Sequence, residues 1–265
     1  MSRETYVFII DSKKAKEKLI PEIENNTNYN ITLKEFIEDS NKRESIRNQI
    51  SYEKIIKKIS TDFNEITTKE LAEIFFWLLN LEIKVNHSER KMFYDNEYDF
   101  YNNLKELGIE LVYEMAQKDR CWVFMYQLGQ YESLNKLGLY SDDDDWQDYE
   151  ISNLQFKEYL DYLLLLLSKI EIENQNPITE VSAVLNTFSN NEKLNKHVDY
   201  SLEEIRNENK VEDEKKREIE SQNLIYRGSY QCSYYYLAET MFEQISELKE
   251  KLKNYNGKIL VIDSQ

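Results

Sequence analysis

The densest set of groups able to do chemistry in this chain is YSDDDDWQDYE, residues 140 to 150. Asp142, Asp143, Asp144 and Asp145 run together before Trp146, and Asp148, Tyr149 and Glu150 follow. Three chemistries suit such a run. Calcium takes carboxylates from alternate positions of a loop that a glycine turns round the ion. DDDDWQDYE has no glycine and no closing bidentate glutamate, so weak cation attraction is expected, a specific metal site is not, and no cofactor is called for. The second chemistry is recognition: Trp146 and Tyr149 serve as anchors, and the acids form a charged rim that steers a basic partner. The third is a solvated loop in which Trp146 tucks into the core and Asp145 or Asp148 caps the next helix.

A second candidate is LIYRGSYQCSYYY, residues 224 to 236. Arg227, Gly228, Ser229 and Tyr230 stand just before a predicted helix. Ser229 is placed to cap it, and the free N–H groups with Arg227 make a simple anion site. Tyrosines at 226, 230, 234, 235 and 236 offer stacking surface for a nucleotide base, and this is the alternative reading as an enzyme or nucleotide-binding domain. Other signatures are weak or missing. His87 and His197 have no metal-binding spacing. Cys121 reads as a core residue, and neither it nor Cys232 lies in a sequence that marks a reactive thiol. There is no phosphate loop, nucleophile elbow or Cys-x-x-Cys. KIIKK at 54–58 is the most basic stretch and is flanked by acids, so direct nucleic-acid binding is not expected.

The elements that position these groups read mainly as helix. TYVFIID (5–11) and GKILVIDS (257–264) are short apolar runs rich in β-branched and aromatic residues, and each predicts a buried strand. Neither is stable alone, so the two termini are expected to pair in one small sheet, with Gly257 ending the helix before the second. Between them Thr32–Glu35, Thr67–Glu70 and Ser201–Glu204 have the spacing of capping boxes. Leu71, Ile74, Phe75 and Leu78 form a helical stripe, and a further helix from Tyr94 stops before Gly108. RCWVFMYQLGQYESLNKLG resembles a strand at its centre, but its apolar residues recur at helical intervals, and helix is chosen, closed by Gly138. A helix from about Leu154 to Ile170, a break at NQNP (174–177), shorter helices from Ile178, and a long stripe from Tyr234 to Leu252 complete the chain. Residues 203–220 contain 8 acids and 5 bases, which predicts an exposed helix or a disordered excursion. The expected fold class is predominantly α-helical (α+β): one domain over 1–265, or a division near 175, with a small sheet of the N- and C-terminal strands.

Bulk properties narrow the function. Five Gly and two Pro in 265 residues argue against an all-β design. Two Cys exclude a disulfide framework, and the leucine run 163–167 is far below the roughly 20 residues of a membrane span. A cytoplasmic protein that contacts no membrane is expected. The abundance of Lys, Asn, Ile and Tyr fits an AT-rich bacterial or phage genome. The formal charge is −16, and residues 121–175 alone carry 11 acids against 3 bases. Such a surface repels nucleic acid and attracts basic protein. The expectation is therefore a non-catalytic, acidic binding protein, of immunity or anti-defence type, that inhibits a basic partner such as a nuclease or toxin by occlusion. Its tyrosines also leave self-association open.

Overall fold

Two apolar runs from opposite ends of the chain become neighbouring strands at the centre of one sheet. The computed structural model describes residues 4–19, 21, 57–58, 61, 105–115, 117–135, 147–175, 179–222, 225, 233–255 and 257–264. Strand β1 (Glu4–Ile10) pairs antiparallel with the last strand, β4 (Lys258–Ser264), in a register that sets Val7 opposite Val261 and Ile9 opposite Ile259. The expected pairing of the termini is thus present. Two further strands flank it: β2 (Ile109–Met115) on β1 and β3 (Gln147–Ser152) on β4, in the order β2-β1-β4-β3. Neither β2 nor β3 was expected from the sequence. Both are short, and β3 mixes charged and apolar residues, so its strand character depends on the ladder that β4 offers it.

Both faces of β1 are buried: Val7 joins the main core on one side, while Tyr6, Phe8 and Ile10 alternate with it and are also buried. A strand covered on both faces reads as a continuous apolar run rather than an alternating one, as TYVFII does. Gly108 makes the corner into β2 at φ 95°, a left-handed conformation that glycine adopts without steric cost. Its N–H donates to Lys105 O at 3.1 Å and its C=O accepts from Asp11 N at 2.8 Å, tying the start of β2 to the end of β1.

Five helices of ten residues or more make up most of the remaining described chain: α1 (Lys118–Asn135), α2 (Asn153–Glu173), α3 (Thr179–Phe188), α4 (Glu192–Ser221) and α5 (Ser233–Leu252). The protein is predominantly helical with a small antiparallel sheet, as expected. Helix α2 is the central element. Its Leu163–Leu167 run is buried all round, because α1, α3, α4, α5 and the sheet surround it, and a helix with no polar stripe is stable only in such a place. Residues before and after position 175 enter the same hydrophobic cluster. Helix α2 starts in a capping box in which the Ser152 hydroxyl accepts from Gln155 N and the Gln155 side chain accepts from Ser152 N. It ends at Asn174, after which Gln175 turns into the left-handed region at φ 59°.

Four buried polar side chains cross-link this core. Gln127 on α1 donates to Tyr234 Oη on α5 at 2.7 Å, and Tyr162 on α2 donates to Gln127 Oε1 at 2.7 Å. The Tyr162 hydroxyl lies 2.6 Å from Ser201 Oγ on α4, and because its one proton goes to Gln127, Ser201 is the donor there. Every group in the chain has a partner, which is the condition for a buried polar network to be stabilising.

Two local expectations are corrected. Ser201 is a buried mid-helix residue of α4, not a cap, since α4 begins nine positions earlier at Glu192, capped by the Asn191 side chain at Leu194 N. Gly257 does not end α5, which stops at Leu252; a Cβ at Gly257 would overlap the Tyr255 phenol. That phenol donates to Ile10 O and accepts from Ile10 N, both at 2.8 Å, so it closes the end of β1. Residues 203–220 form the second half of α4 and are mostly exposed, which is the helical one of the two expected alternatives. The proposed capping boxes at Thr32 and Thr67, the stripe from Leu71 and Gly138 lie outside the described residues.

Candidate functional site

Most of the acidic stretch lies outside the described residues, including Asp142, Asp143, Asp144, Asp145 and Trp146. Asp148, Tyr149 and Glu150 are consecutive members of β3 and oppose Ile262, Val261 and Leu260 of β4. This corrects the expectation of a loop through position 150, and of Asp148 as a helix cap. A cap must immediately precede the first helical residue, and Ser152 occupies that position. Arg227, Gly228, Ser229 and Tyr230 also lie outside the described residues. Helix α5 begins at Ser233, beyond the Ser229 expected to cap it. The stacking platform expected beside them is reduced, because Tyr234 is a core residue and Tyr235 donates to Glu173 Oε2 at 2.7 Å. Tyr236 remains exposed.

The acidity of residues 121–175 is partly turned inward. Asp161 pairs with Lys249, Glu173 pairs with Arg206, and Glu171 is buried and accepts from Asn174 at 2.9 Å. Burial alone would raise the Glu173 carboxyl, but hydrogen bonds from Arg206 and Tyr235 and the guanidinium charge hold it below the ordinary carboxylate value. Counting acids along the chain therefore overstates the free charge of this region.

Unspent charge and aromatic surface meet instead along α1 and α4. Trp122, Tyr126 and Gln130 follow one another at intervals of four on α1, and Tyr200, Glu204 and Glu208 do so on α4, so each trio shares one helix face. The Trp122 and Tyr126 rings stack at 4.9 Å with an interplanar angle of 15°. Trp122 also meets the ring of Tyr234 edge-on at 6.1 Å, which fixes the pair to the core. Gln130 Nε2 donates to Tyr126 Oη at 3.1 Å. Across the seam, Tyr126 is near enough to raise the phenol pKa of Tyr200, whose main perturbation is the hydrogen bond it donates to Glu204. Tyr126 and Tyr200 are 37% and 53% exposed, enough for a partner to reach both.

The two glutamates are uncompensated. Arg206 lies between them in sequence, but its guanidinium serves Glu173 and Glu203. No described lysine or arginine pairs with Glu204 or Glu208. Partial burial, and then the Glu204 charge one helical turn away, push the Glu208 carboxyl above its ordinary value. An arriving cation would relieve that repulsion. Stacked aromatic rings beside carboxylates are a general receptor for ammonium and guanidinium groups, through the ring quadrupole and charge-assisted hydrogen bonds. The face was not legible in the sequence because the apolar residues of α1 point to its core side, while the α4 segment stands out only as a run of mixed charge. The available signal was the four-residue spacing of Trp122 with Tyr126 and of Glu204 with Glu208.

Among the described residues there is no group of three or more His, Cys, Asp or Glu placed to hold a metal ion, and no helix long and apolar enough to cross a membrane. Cys121 is fully buried, and its thiol donates to Met115 O, in keeping with the core position expected for it. Comparison of the chain with protein-family models, with curated proteins and with solved structures finds no match.

Proposed function

We propose that this chain is a non-catalytic acidic binding protein that occludes the basic surface of a partner protein, and that the face of Trp122, Tyr126, Tyr200, Glu204 and Glu208 makes the central contact. The observation that carries this reading is the pair of partly buried glutamates without a described cation, set beside a stacked Trp–Tyr pair. A lysine or arginine laid across the rings would bring its charge to both carboxylates. Such a centre, with aromatic anchors and desolvated charge, is where interfaces concentrate their binding energy. Asp142, Asp143, Asp144, Asp145, Asp148 and Glu150 then act at longer range as steering charge within a net of −16, and that raises association rate more than affinity. In its finer form the reading is an immunity- or anti-defence-type inhibitor acting in the cytoplasm, its target a nuclease, toxin or other nucleic-acid-handling effector whose phosphate groove is basic.

The test is capture from host lysate, with and without phage, washed at low and then high salt and identified by mass spectrometry, followed by affinity measurement on the retained protein. We expect a basic protein whose binding weakens as salt rises. Replacing Glu204 and Glu208 together by Gln should weaken it roughly tenfold or more, as expected for centrally placed charges. Replacing Asp142–Asp145 by Asn should mainly slow association. An unchanged affinity in the Glu204→Gln, Glu208→Gln double variant would remove this face from the interface.

A further inference from the structure

On a different side of α1 and α2, where the turn between α3 and α4 closes over them, lies a cleft of about 160 Å³. We propose that this cleft is a binding site for a small zwitterion, an α-amino acid with an apolar side chain. The proposal is independent of the protein-binding face, because it uses none of the same residues.

The cleft has two unlike walls. On the α1–α2 side, Tyr131 donates to Glu158 Oε2 at 3.2 Å, and Asn135 Nδ2 donates back to Tyr131 O at 2.9 Å. Those bonds leave Glu158 Oε1 and Asn135 Oδ1 as acceptors. On the α4 side, Lys193 and His197 line the space and have no hydrogen-bond or ion-pair partner among the described residues. Lys193 is a donor, and His197, kept toward its neutral form by burial and by the Lys193 and Lys196 charges, offers one ring N–H. Phe188 and Leu194 supply apolar lining between the two sets.

The one other charged lining group, Asp161, is neutralised from outside the cleft. Asp161 pairs with Lys249, whose ammonium also lies 5.5 Å from the centroid of the Phe188 ring. Asn191 is spent on capping α4, its Oδ1 accepting from Leu194 N at 3.1 Å. What remains in the lining is one carboxylate, Glu158, and one ammonium, Lys193, neither paired with an opposite charge among the described residues. In a protein of net charge −16, this locally neutral site with separated poles disfavours a simple ion of either sign and favours a dipole. An amino acid matches it: its ammonium reaches Glu158 and Asn135, its carboxylate reaches Lys193 and His197, and its side chain lies on Phe188 and Leu194. The volume is below the roughly 300–1,000 Å³ of sites for drug-sized ligands, which limits the occupant to this size class.

The experiment is heteronuclear NMR on the full chain, titrated with L-leucine, with 4-methylpentanoate, which lacks the ammonium, and with isoamylamine, which lacks the carboxylate. The proposal expects saturable shifts centred on Glu158, Lys193 and His197 for leucine, and at least about tenfold weaker binding for each half-ligand, since each loses a charged hydrogen-bonding pole. Glu158→Gln and Lys193→Met, both at exposed positions that leave the fold intact, should each weaken leucine by a similar factor. The proposal is overturned if leucine shifts none of these resonances, if the half-ligands bind as well as leucine, or if both variants bind leucine like the parent.

Discussion

Replacing Tyr162 by Phe is the most direct probe of the buried network that joins the helices. The change removes one oxygen atom from the centre of the core and leaves the ring in place. Two bonds disappear, the one donated to Gln127 Oε1 at 2.7 Å and the one accepted from Ser201 Oγ at 2.6 Å. The groups left behind do not fare equally. Ser201 sits mid-helix, so its hydroxyl can rotate onto the carbonyl four residues back. Gln127 is 1% exposed, and its Nε2 is already committed to Tyr234, so its Oε1 is left in the core without a donor. An orphaned buried acceptor costs about 1–3 kcal/mol, and the lost bonds add about 0.5–1.5 kcal/mol. The expected loss is thus about 2–4 kcal/mol, a sizeable part of the roughly 5–15 kcal/mol by which domains are stable. Urea unfolding followed by far-UV circular dichroism reads it as a fall in midpoint at constant slope. Tyr131→Phe is the internal control. Its hydroxyl makes one 3.2 Å bond to an exposed carboxylate, so its cost should stay below about 1 kcal/mol. A Tyr162→Phe variant no less stable than Tyr131→Phe would refute the reasoning, because the network would then carry no energy beyond the packing of its rings.

Three further outcomes follow from the same geometry. Glu208→Gln should stabilise the protein modestly at neutral pH. The folded-state carboxyl is raised above its unfolded value, so its ionised form opposes folding, and the advantage of Gln should vanish as pH falls below the ordinary carboxylate pKa; a Gln variant no more stable than the parent at pH 7 would contradict this. Tyr255→Phe removes both bonds to the Ile10 backbone and should speed hydrogen exchange of the Ile10 amide ahead of the rest of β1, with a stability loss of about 1–3 kcal/mol. Gly257→Ala should cost about 1–3 kcal/mol through overlap with the Tyr255 ring, and calorimetry of the Tyr255→Ala, Gly257→Ala double variant should show less than the sum of the two single losses.

What the sequence determined by itself were the elements whose signal is periodic and local. The apolar runs at 5–11 and 257–264 read as buried strands, and their expected pairing with each other is present in the register of β1 and β4. The stripes behind α1, α2 and α5 were legible because 3.6-residue periodicity survives without knowledge of neighbours. Tertiary structure decided the rest. Strand β3 is too mixed in composition to declare itself, and it is a strand because β4 presents an open edge to it. Ser201 carries the pattern of a cap yet lies buried in mid-helix, since the helix had begun earlier, at Glu192 after the Asn191 cap. The acids of residues 121–175 looked like one charged surface, but Asp161 and Glu173 are spent on Lys249 and Arg206 from distant helices. The face at Trp122, Tyr126, Glu204 and Glu208 is the converse case: residues about eighty positions apart in the chain become one surface only when α1 and α4 pack side by side. Charge and aromaticity are summed along a sequence, whereas a binding surface depends on which of those groups remain unpaired after folding, and that is a property of contacts between elements.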